Sequence, residues 1–269
     1  MQEQGHSTVE RDHQSAIIRY WDCVAARYLE LFRDEIRDKP FDLALLRKLA
    51  DSIGKGARAC DVGCGPCAHV TRFLADAGLD IIGIDISPAC INLARREQSS
   101  IEFRLMDAAA LEFPTSSFDG LIAYYLLHYL PLRSWPQVLS GFARVLRPGG
   151  RLLVVQKSGR GEAWIPDPMG SDAETFWAAT QQAELEEIVV SAGFRLLEGL
   201  TRGPLPAEIA VDRIYLLAER AKSGYVTAQF EESRQLSGCQ SPESTLWAGY
   251  RIRPTSSSAW CCPRPDRNP

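Results

Sequence analysis

The sequence predicts an α/β domain built around a mostly parallel sheet, and two observations lead to that fold class. A strand that ends near Val62 is followed by a glycine turn and then by a helix with apolar residues at three- and four-residue spacing. The same alternation of short apolar runs and amphipathic segments continues to about residue 156. Such alternation produces parallel strands with helices on both faces, and ligands of these sheets bind at the carboxyl ends of the strands.

The amino-terminal segment is predicted to be helical. Apolar side chains in residues 15–38 recur every three or four positions, and residues 42–50 repeat the pattern in a shorter helix. Gly54 and Gly56 then interrupt the pattern before the first strand. We therefore expect residues 1–50 to form a helical cap on the domain.

Seven strands are predicted in residues 51–221, which we interpret as one domain. They are a segment ending near Val62 and residues 81–84, 101–106, 118–124, 151–156, 194–200 and 209–218. The helices between them are predicted at residues 66–77, 87–96, 135–146 and about 173–192. Residues 157–170 are rich in Gly, Pro and polar side chains and predict a loop.

Composition favours a small-molecule partner. The net charge of −4 and the pI near 5.7 do not match a nucleic-acid or membrane surface. No apolar run approaches the ~20 residues that span a bilayer, so a cytoplasmic location is expected. The eight cysteines are expected to be free thiols, since most fall within α/β patterns. Residues 222–269 lack periodicity and are predicted to be disordered.

The glycine turn after the first strand carries the most specific chemical signal. Asp61 lies two residues before Gly63 and four before Gly65. A carboxylate here would repel the pyrophosphate of a dinucleotide, so its position favours a cationic ligand. S-adenosylmethionine carries a sulfonium and an ammonium group, and a methyltransferase is the leading interpretation.

Across about residues 20–221 the chain resembles the class I S-adenosylmethionine-dependent methyltransferases that act largely on small molecules. Four motifs carry the resemblance in order, and they are Asp61-Val-Gly-Cys-Gly65, Gly83-Ile-Asp-Ile-Ser-Pro88, Met106-Asp-Ala108 and Leu146-Arg-Pro-Gly-Gly150. The resemblance implies a Rossmann-like, seven-stranded, mostly parallel sheet with an N-terminal helical lid.

The resemblance also implies which residues bind the cofactor. Asp61, Gly63 and Gly65 would form the cofactor loop, where glycines permit close backbone approach. By the same resemblance, the ribose and adenine contacts would come from Asp85 (both ribose hydroxyls), Ile86 (adenine packing), Asp107 (the exocyclic amine) and Ala108 (a backbone contact). For Asp85 and Asp107 the alternative is an aspartate that caps a turn or a helix, and for Ile86 the alternative is plain core packing.

Aromatic residues resemble those around the methionine end of the cofactor and the acceptor. Tyr28 and Tyr124 are expected to contact the cofactor, whereas Tyr20, Tyr125 and Trp164 are expected to contact the acceptor. Tyr20 and Tyr28 also fall on the apolar stripe of the first helix, and Trp164 could equally be a core residue. No metal site is expected.

His128 is the candidate catalytic residue. An acceptor hydroxyl must lose its proton during methyl transfer, which favours a base with a near-neutral pKa. His128 follows the fourth strand, where related enzymes place residues between cofactor and acceptor. A structural role in helix capping or packing is the alternative.

Three alternatives remain open at this level. Cys67 stands where the family has its third glycine, so a non-catalytic binder of the same cofactor is conceivable. The Gly63–Ala68 turn together with Asp85 also fits an NAD-dependent oxidoreductase, although Asp61 opposes it. Cys60, Cys64 and Cys67 have the C-x3-C-x2-C spacing of radical S-adenosylmethionine enzymes, but their positions in a strand and a turn should direct the sulfurs apart.

Overall fold

The computed structural model describes residues 4–206 and 208–222, with side chains described from residue 13 onward. The α-helices are α1 Gln4–Phe32, α2 Pro40–Ile53, α3 His69–Asp76, α4 Pro88–Glu97, α5 Trp135–Val145 and α6 Gln182–Ser191. Short 3-10 helices cover Glu35–Asp38, Leu127–Tyr129 and Leu132–Ser134. Apart from residue 222, the segment predicted to be a disordered tail lies outside the described residues.

The strands form one large sheet and one hairpin. They are β1 Arg58–Val62, β2 Asp80–Asp85, β3 Glu102–Leu105, β4 Phe118–Tyr124, β5 Leu146–Lys157, β6 Gly161–Pro166, β7 Glu174–Ala179, β8 Phe194–Arg202 and β9 Arg213–Arg220. Seven of them pair in the order β3-β2-β1-β4-β5-β9-β8, and β9 alone runs opposite to the other six strands. The predicted seven-stranded, mostly parallel α/β fold is confirmed.

The sheet is buried on both faces, as its continuous apolar strands require. Alternate strand residues divide between two cores. One core joins Ile122, Leu153 and Val155 to Leu45, Leu46 and Leu49 of α2 and Leu74 of α3. The other joins Leu121, Leu152 and Val154 to Val138 and Phe142 of α5 and to Leu185 and Val189 of α6. The helix α2 therefore packs directly on the sheet.

The predictions for residues 157–192 were partly wrong. The expected loop contains β6, and the first part of the expected helix is β7, which pairs antiparallel with β6. Thr175, Phe176 and Trp177 are β-branched or aromatic and suit a strand, while α6 begins only at Gln182. The last strand of the sheet also begins at Arg213 rather than near residue 209. The hairpin packs against α1 and the 3-10 helix that contains His128.

Local sequence signals explain the helix ends. The Ser87 hydroxyl accepts from the Cys90 N–H at 3.1 Å, and Pro88 occupies the first turn of α4. Gly78, which follows α3, has a φ of 99°, a conformation that favours glycine. Within the described residues, none of the helices has the length and hydrophobicity needed to cross a bilayer.

A buried ionic cluster joins α2 to the far edge of the sheet. Asp42, with no exposed surface, accepts from Arg202 at 3.1 Å and from the Tyr215 hydroxyl at 2.9 Å. Arg202 also donates to Glu208 at 2.7 Å, and Arg213 lies 3.2 Å from the same carboxylate. Because each buried charge needs a partner, this cluster fixes α2 against β8 and β9.

Replacement of Asp42 by asparagine is expected to lower the free energy of unfolding by roughly 2–3 kcal/mol, because Arg202 would lose one of its two buried carboxylates. Urea unfolding followed by circular dichroism measures the change. Asp51→Asn, at an exposed position of the same helix, is the control and should stay within about 0.5 kcal/mol of the parent. Equal losses in the two variants would contradict the structural role of the cluster.

Candidate functional site

A cavity of about 470 Å³ opens at the carboxyl ends of the central strands, beneath α1. It lies where β1 and β4 are neighbours and the chain connections run to opposite sides of the sheet, the usual ligand position in such folds. Its walls come from the ends of β1, β2, β4 and β5, the segment after β3, and side chains of α1. This size suits a small organic ligand.

The glycine turn after β1 is held in the shape that the sequence predicts. Gly63 and Gly65 have φ angles of 77° and 62°. A Cβ at Gly63 would lie 2.8 Å from the Leu126 side chain, so no larger residue fits there without movement. The N–H groups of Gly63 and Cys64 donate to the Ile84 carbonyl at 2.8 and 2.9 Å, which ties the turn to β2.

Asp61 lines the cavity but is only 1% exposed. The Thr71 hydroxyl of α3 donates to its carboxylate at 2.6 Å. Burial raises the pKa of Asp61 to about 7, and the nearby Asp85 carboxylate adds to the increase, while the Thr71 hydrogen bond opposes it. A positively charged or hydrogen-bond-donating ligand would therefore stabilise the ionised form.

Asp85 ends β2 on the opposite side of the glycine turn. Its carboxylate accepts from the N–H groups of Gly65 at 3.0 Å and Ser87 at 2.9 Å. Burial raises the pKa of Asp85 to about 6, and these backbone hydrogen bonds oppose the increase. The carboxylate is thus oriented by the backbone before any ligand binds.

Asp107 follows β3 and also lines the cavity, as do Ile86 and Ala108. The Gln14 side-chain amide of α1 donates to one carboxylate oxygen of Asp107 at 2.8 Å, and the Ala109 N–H donates to the other at 2.8 Å. The sequence reasoning did not identify Gln14, since no motif connects it to residue 107. The hydrogen bond shows that α1 covers this end of the cavity.

Three of the predicted aromatic residues line the cavity, namely Tyr28, Tyr124 and Tyr125. The Tyr124 hydroxyl donates to Asp42, so its ring is anchored to the ionic cluster. Tyr125 has a φ of 57°, which is uncommon for a side chain of this size. Its buried hydroxyl has no hydrogen-bond partner among the described residues. Uncommon backbone conformations of this kind cluster at functional sites, and Tyr125 lies between β4 and His128.

The structure does not bring Tyr20 or Trp164 into the cavity lining. Tyr20 is 4% exposed, and its hydroxyl donates to Asp167 at 2.9 Å. Trp164 lies on the hairpin strand β6, is 40% exposed and packs against His13 and Phe176. Both residues join α1 to the β6–β7 hairpin and its connecting segment, which the sequence did not predict.

His128 lies in the cavity wall and is only 1% exposed. Its Nδ1 is 3.4 Å from the Gln156 side-chain oxygen, while the Gln156 amide donates to the Ala178 carbonyl at 3.1 Å. That orientation makes the glutamine oxygen an acceptor and assigns the imidazole proton to Nδ1. Nε2 is then an unprotonated acceptor, and it has no partner among the described residues.

Burial holds the pKa of His128 well below its ordinary value, and the Lys157 ammonium group lowers it further. The imidazole is therefore neutral at physiological pH. Lys157, at the end of β5, also lines the cavity and was not singled out from the sequence. A lone lysine at a strand end carries no motif, so nothing local distinguished it.

The cysteines of the glycine turn do not converge. Cys60 belongs to the main sheet core, whereas Cys64 packs against the small cluster around Ile91 and Phe103. Cys67 lines the cavity, and burial raises the pKa of its thiol to about 12. Within the described residues, no group of three or more His, Cys, Asp or Glu side chains could hold a metal ion.

Comparisons with known proteins agree with this geometry. Residues 59–150 match a family model described as a methyltransferase domain. An O-methyltransferase of Pyrenophora dematioidea is 30% identical over 172 residues, which cover 61% of this chain and 63% of the relative. The 27-O-demethylrifamycin SV methyltransferase of Amycolatopsis mediterranei is 32% identical over 161 residues, which cover 58% of this chain and 54% of the relative. The chain thus spans less than two thirds of these relatives.

The fold has similar solved structures. The 1,6-didemethyltoxoflavin-N1-methyltransferase of Burkholderia thailandensis, crystallised with 1,6-didemethyltoxoflavin and S-adenosylhomocysteine, aligns with a TM-score of 0.53 at 19% identity. The alignment covers 74% of this chain and 91% of that protein. At this identity the likeness concerns the fold. Together, the comparisons show that residues 59–150 match a methyltransferase domain and that the chain is similar to methyltransferases in sequence and in fold.

The raised pKa of Asp61 predicts a pH-dependent stability. Because the folded-state pKa is about 7 against an ordinary 3.8, the folded protein binds this proton more tightly, and stability should fall as pH rises from about 4 to about 7. Asp61→Asn should remove roughly 1–3 kcal/mol of that decline in the ligand-free protein.

Urea unfolding at a series of pH values measures the effect. Asp76→Asn, at an exposed position of α3, is the matched control and should keep the parent profile. An Asp61→Asn profile parallel to that of the parent would show that the carboxylate does not titrate in this range.

Proposed function

We propose that this protein transfers the methyl group of S-adenosylmethionine to an oxygen or nitrogen atom of a small-molecule metabolite. The observation that carries the proposal is the meeting of three carboxylates, Asp61, Asp85 and Asp107, around one cavity at the ends of adjacent strands. The bound cofactor would supply an electrophilic methyl group. The residues of this chain would bind it, orient the acceptor and accept a proton.

The polar side chains that line the cavity fit this cofactor. We propose that Asp61 balances its cationic amino-acid end, since a buried carboxylate with a raised pKa gains most from a positive neighbour. Asp85 would accept from the ribose hydroxyls, and its backbone hydrogen bonds leave lone pairs for them. Asp107 and Ala108 would contact adenine, against which Ile86 would pack. Gly63 and Gly65 would let the backbone approach the ligand closely.

An NAD-dependent oxidoreductase fits less well. A pyrophosphate at the glycine turn would lie beside Asp61, and two negative groups would then share a poorly solvated site. Cofactor binding without catalysis is the stronger second candidate, because the Cys67 side chain lines the cavity at the position where the resemblance implies a glycine.

We propose His128 as the general base. Its unpartnered Nε2 can accept a proton from an acceptor hydroxyl, and Gln156 holds the tautomer in which this is possible. Tyr28 and Tyr124 would lie at the methionine end of the cofactor, and Tyr125 beside the acceptor. Oxygen is the preferred acceptor atom, since a nearby base serves a hydroxyl group and one of the relatives is named an O-methyltransferase. The cytoplasmic location stays a prediction.

Asp85→Asn is expected to weaken binding of S-adenosylhomocysteine by about tenfold or more, because an amide cannot accept two hydroxyl hydrogen bonds with the strength of a carboxylate. Isothermal titration calorimetry measures this affinity. Asp80→Asn, at the exposed start of the same strand, is the control and should bind like the parent. Binding of NAD in preference to S-adenosylhomocysteine by the parent would refute the proposed function.

His128→Asn is expected to reduce turnover about a hundredfold, with little effect on S-adenosylhomocysteine affinity, because it removes the proton acceptor but leaves the cofactor site intact. Transfer of the labelled methyl group of S-adenosylmethionine to a panel of hydroxylated and aminated metabolites measures turnover. Unchanged turnover would exclude the base role, and binding without any labelled product in the parent would favour the non-catalytic alternative.

The variant Gln156→Glu distinguishes a catalytic role of His128 from a packing role. A carboxylate beside Nδ1 would stabilise the imidazolium form, so the acidic limb of the rate profile should move to higher pH by about one unit or more. A purely structural histidine would leave the position of that limb unchanged.

A further inference from the structure

Lys157 is a lysine of the cavity wall that has no ionic partner among the residues that the structure describes. It ends β5 in the cavity wall, and its side chain makes no hydrogen bond or ion pair with any residue that the structure describes. Its Nζ lies 4.4 Å from the centre of the Trp177 ring and 5.4 Å from that of Tyr125. Aromatic faces stabilise an ammonium group but leave its three N–H donors available to a ligand.

The charged groups around Lys157 are otherwise paired with one another. Lys39 lies 2.7 Å from Glu35 and 3.3 Å from Glu208, and Arg213 lies 3.2 Å from Glu208. Burial lowers the pKa of Lys157 to about 7, and the positive charges of Arg213 and Lys39 contribute, while Glu35 and Glu208 oppose them. An anion bound at Nζ would therefore stabilise the ammonium form.

The proposed base lies on the same aromatic wall. The His128 ring centre is 5.1 Å from that of Trp177 and 6.4 Å from that of Tyr125, the two rings that also contact Lys157. The Tyr125 hydroxyl and His128 Nε2 are both buried without partners among the described residues. One wall of the cavity thus presents an ammonium group, a hydroxyl and an imidazole acceptor between aromatic rings.

The properties of His128 limit what this wall can deprotonate. A buried neutral imidazole with a lowered pKa is a weak base, and an aliphatic alcohol would give up its proton to it at a large energetic cost. A nearby ammonium group reduces that cost when the resulting oxyanion can pair with it. A hydroxyl that is acidic already, as in phenols and enols, meets both conditions.

We propose that the acceptor is an acidic hydroxyl compound of the phenol or enol class, and that Lys157 selects it. The hydroxyl proton passes to His128 Nε2, and the resulting oxyanion pairs with the ammonium group of Lys157. The inference rests on the proposed methyl transfer and specifies its substrate class. Lys157 is then the residue that determines acceptor specificity, and the Tyr125 ring in the cavity wall favours a planar substrate.

Binding of 4-nitrophenol tests this inference, because its phenolate form has its own absorption band. With S-adenosylhomocysteine present, the parent should bind the phenolate at least about tenfold more tightly than 4-nitroanisole, its methyl ether. Lys157→Met should remove that preference, whereas Lys157→Arg should retain most of it. Lys55→Met, at an exposed position, is the matched control and should behave like the parent.

The outcomes separate the two proposals. If S-adenosylhomocysteine does not bind the parent in calorimetry, the proposed function fails. If it binds but the parent takes up no phenolate, or does not distinguish 4-nitrophenol from 4-nitroanisole, the acidic-hydroxyl assignment is overturned. Tighter binding of benzoate than of 4-nitrophenolate would overturn it in favour of a carboxylate acceptor. The parent comparison needs no variant, so it holds even if Lys157→Met is unstable.

Discussion

The burial of two carboxylates at the ends of adjacent parallel strands is the constraint around which the site is organised. Parallel pairing of Asp61 with Gly83 brings Asp85 to the neighbouring strand end, and burial raises the pKa values of the two aspartates to about 7 and about 6. The protein offsets part of this cost with the Thr71 hydroxyl and with backbone N–H groups of the glycine turn. A ligand that brings positive charge and hydroxyl donors would supply the rest.

The two halves of the cavity differ in charge, and this difference would distinguish the cofactor end of the site from the acceptor end. Three carboxylates lie at the ends of β1 and β2 and after β3, whereas His128 follows β4 and Lys157 ends β5. The carboxylate of Glu35, which also lines the cavity, is paired with Lys39. Beneath that second half, the cluster of Asp42, Arg202 and Glu208 pairs its charges internally. In this half of the cavity, the Tyr125 hydroxyl and His128 Nε2 have no hydrogen-bond partner among the described residues and are available to an acceptor.

The fold and the carboxylate half of the site were predictable because their signals are local. A strand, a glycine turn and a helix follow one another within a few residues, and parallel pairing brings the aspartates that follow successive strands to one edge. The β6–β7 hairpin was not predictable in this way. Its strands join through a polar, proline-containing connection, and Trp177 became a strand residue through pairing with Ala163.

The sequence by itself determined the strands of the main sheet and most of the helices between them, the glycine turn and the residue types that follow each strand, because backbone preferences and apolar periodicity act over short distances. Only the tertiary structure decided which side chains share the cavity. It brought Gln14 into hydrogen-bond contact with Asp107, 93 positions away in the sequence. It placed Tyr20 and Trp164 between α1 and the β6–β7 hairpin, and it placed Lys157 in the cavity wall. Such contacts depend on how distant elements pack, and no local pattern encodes them.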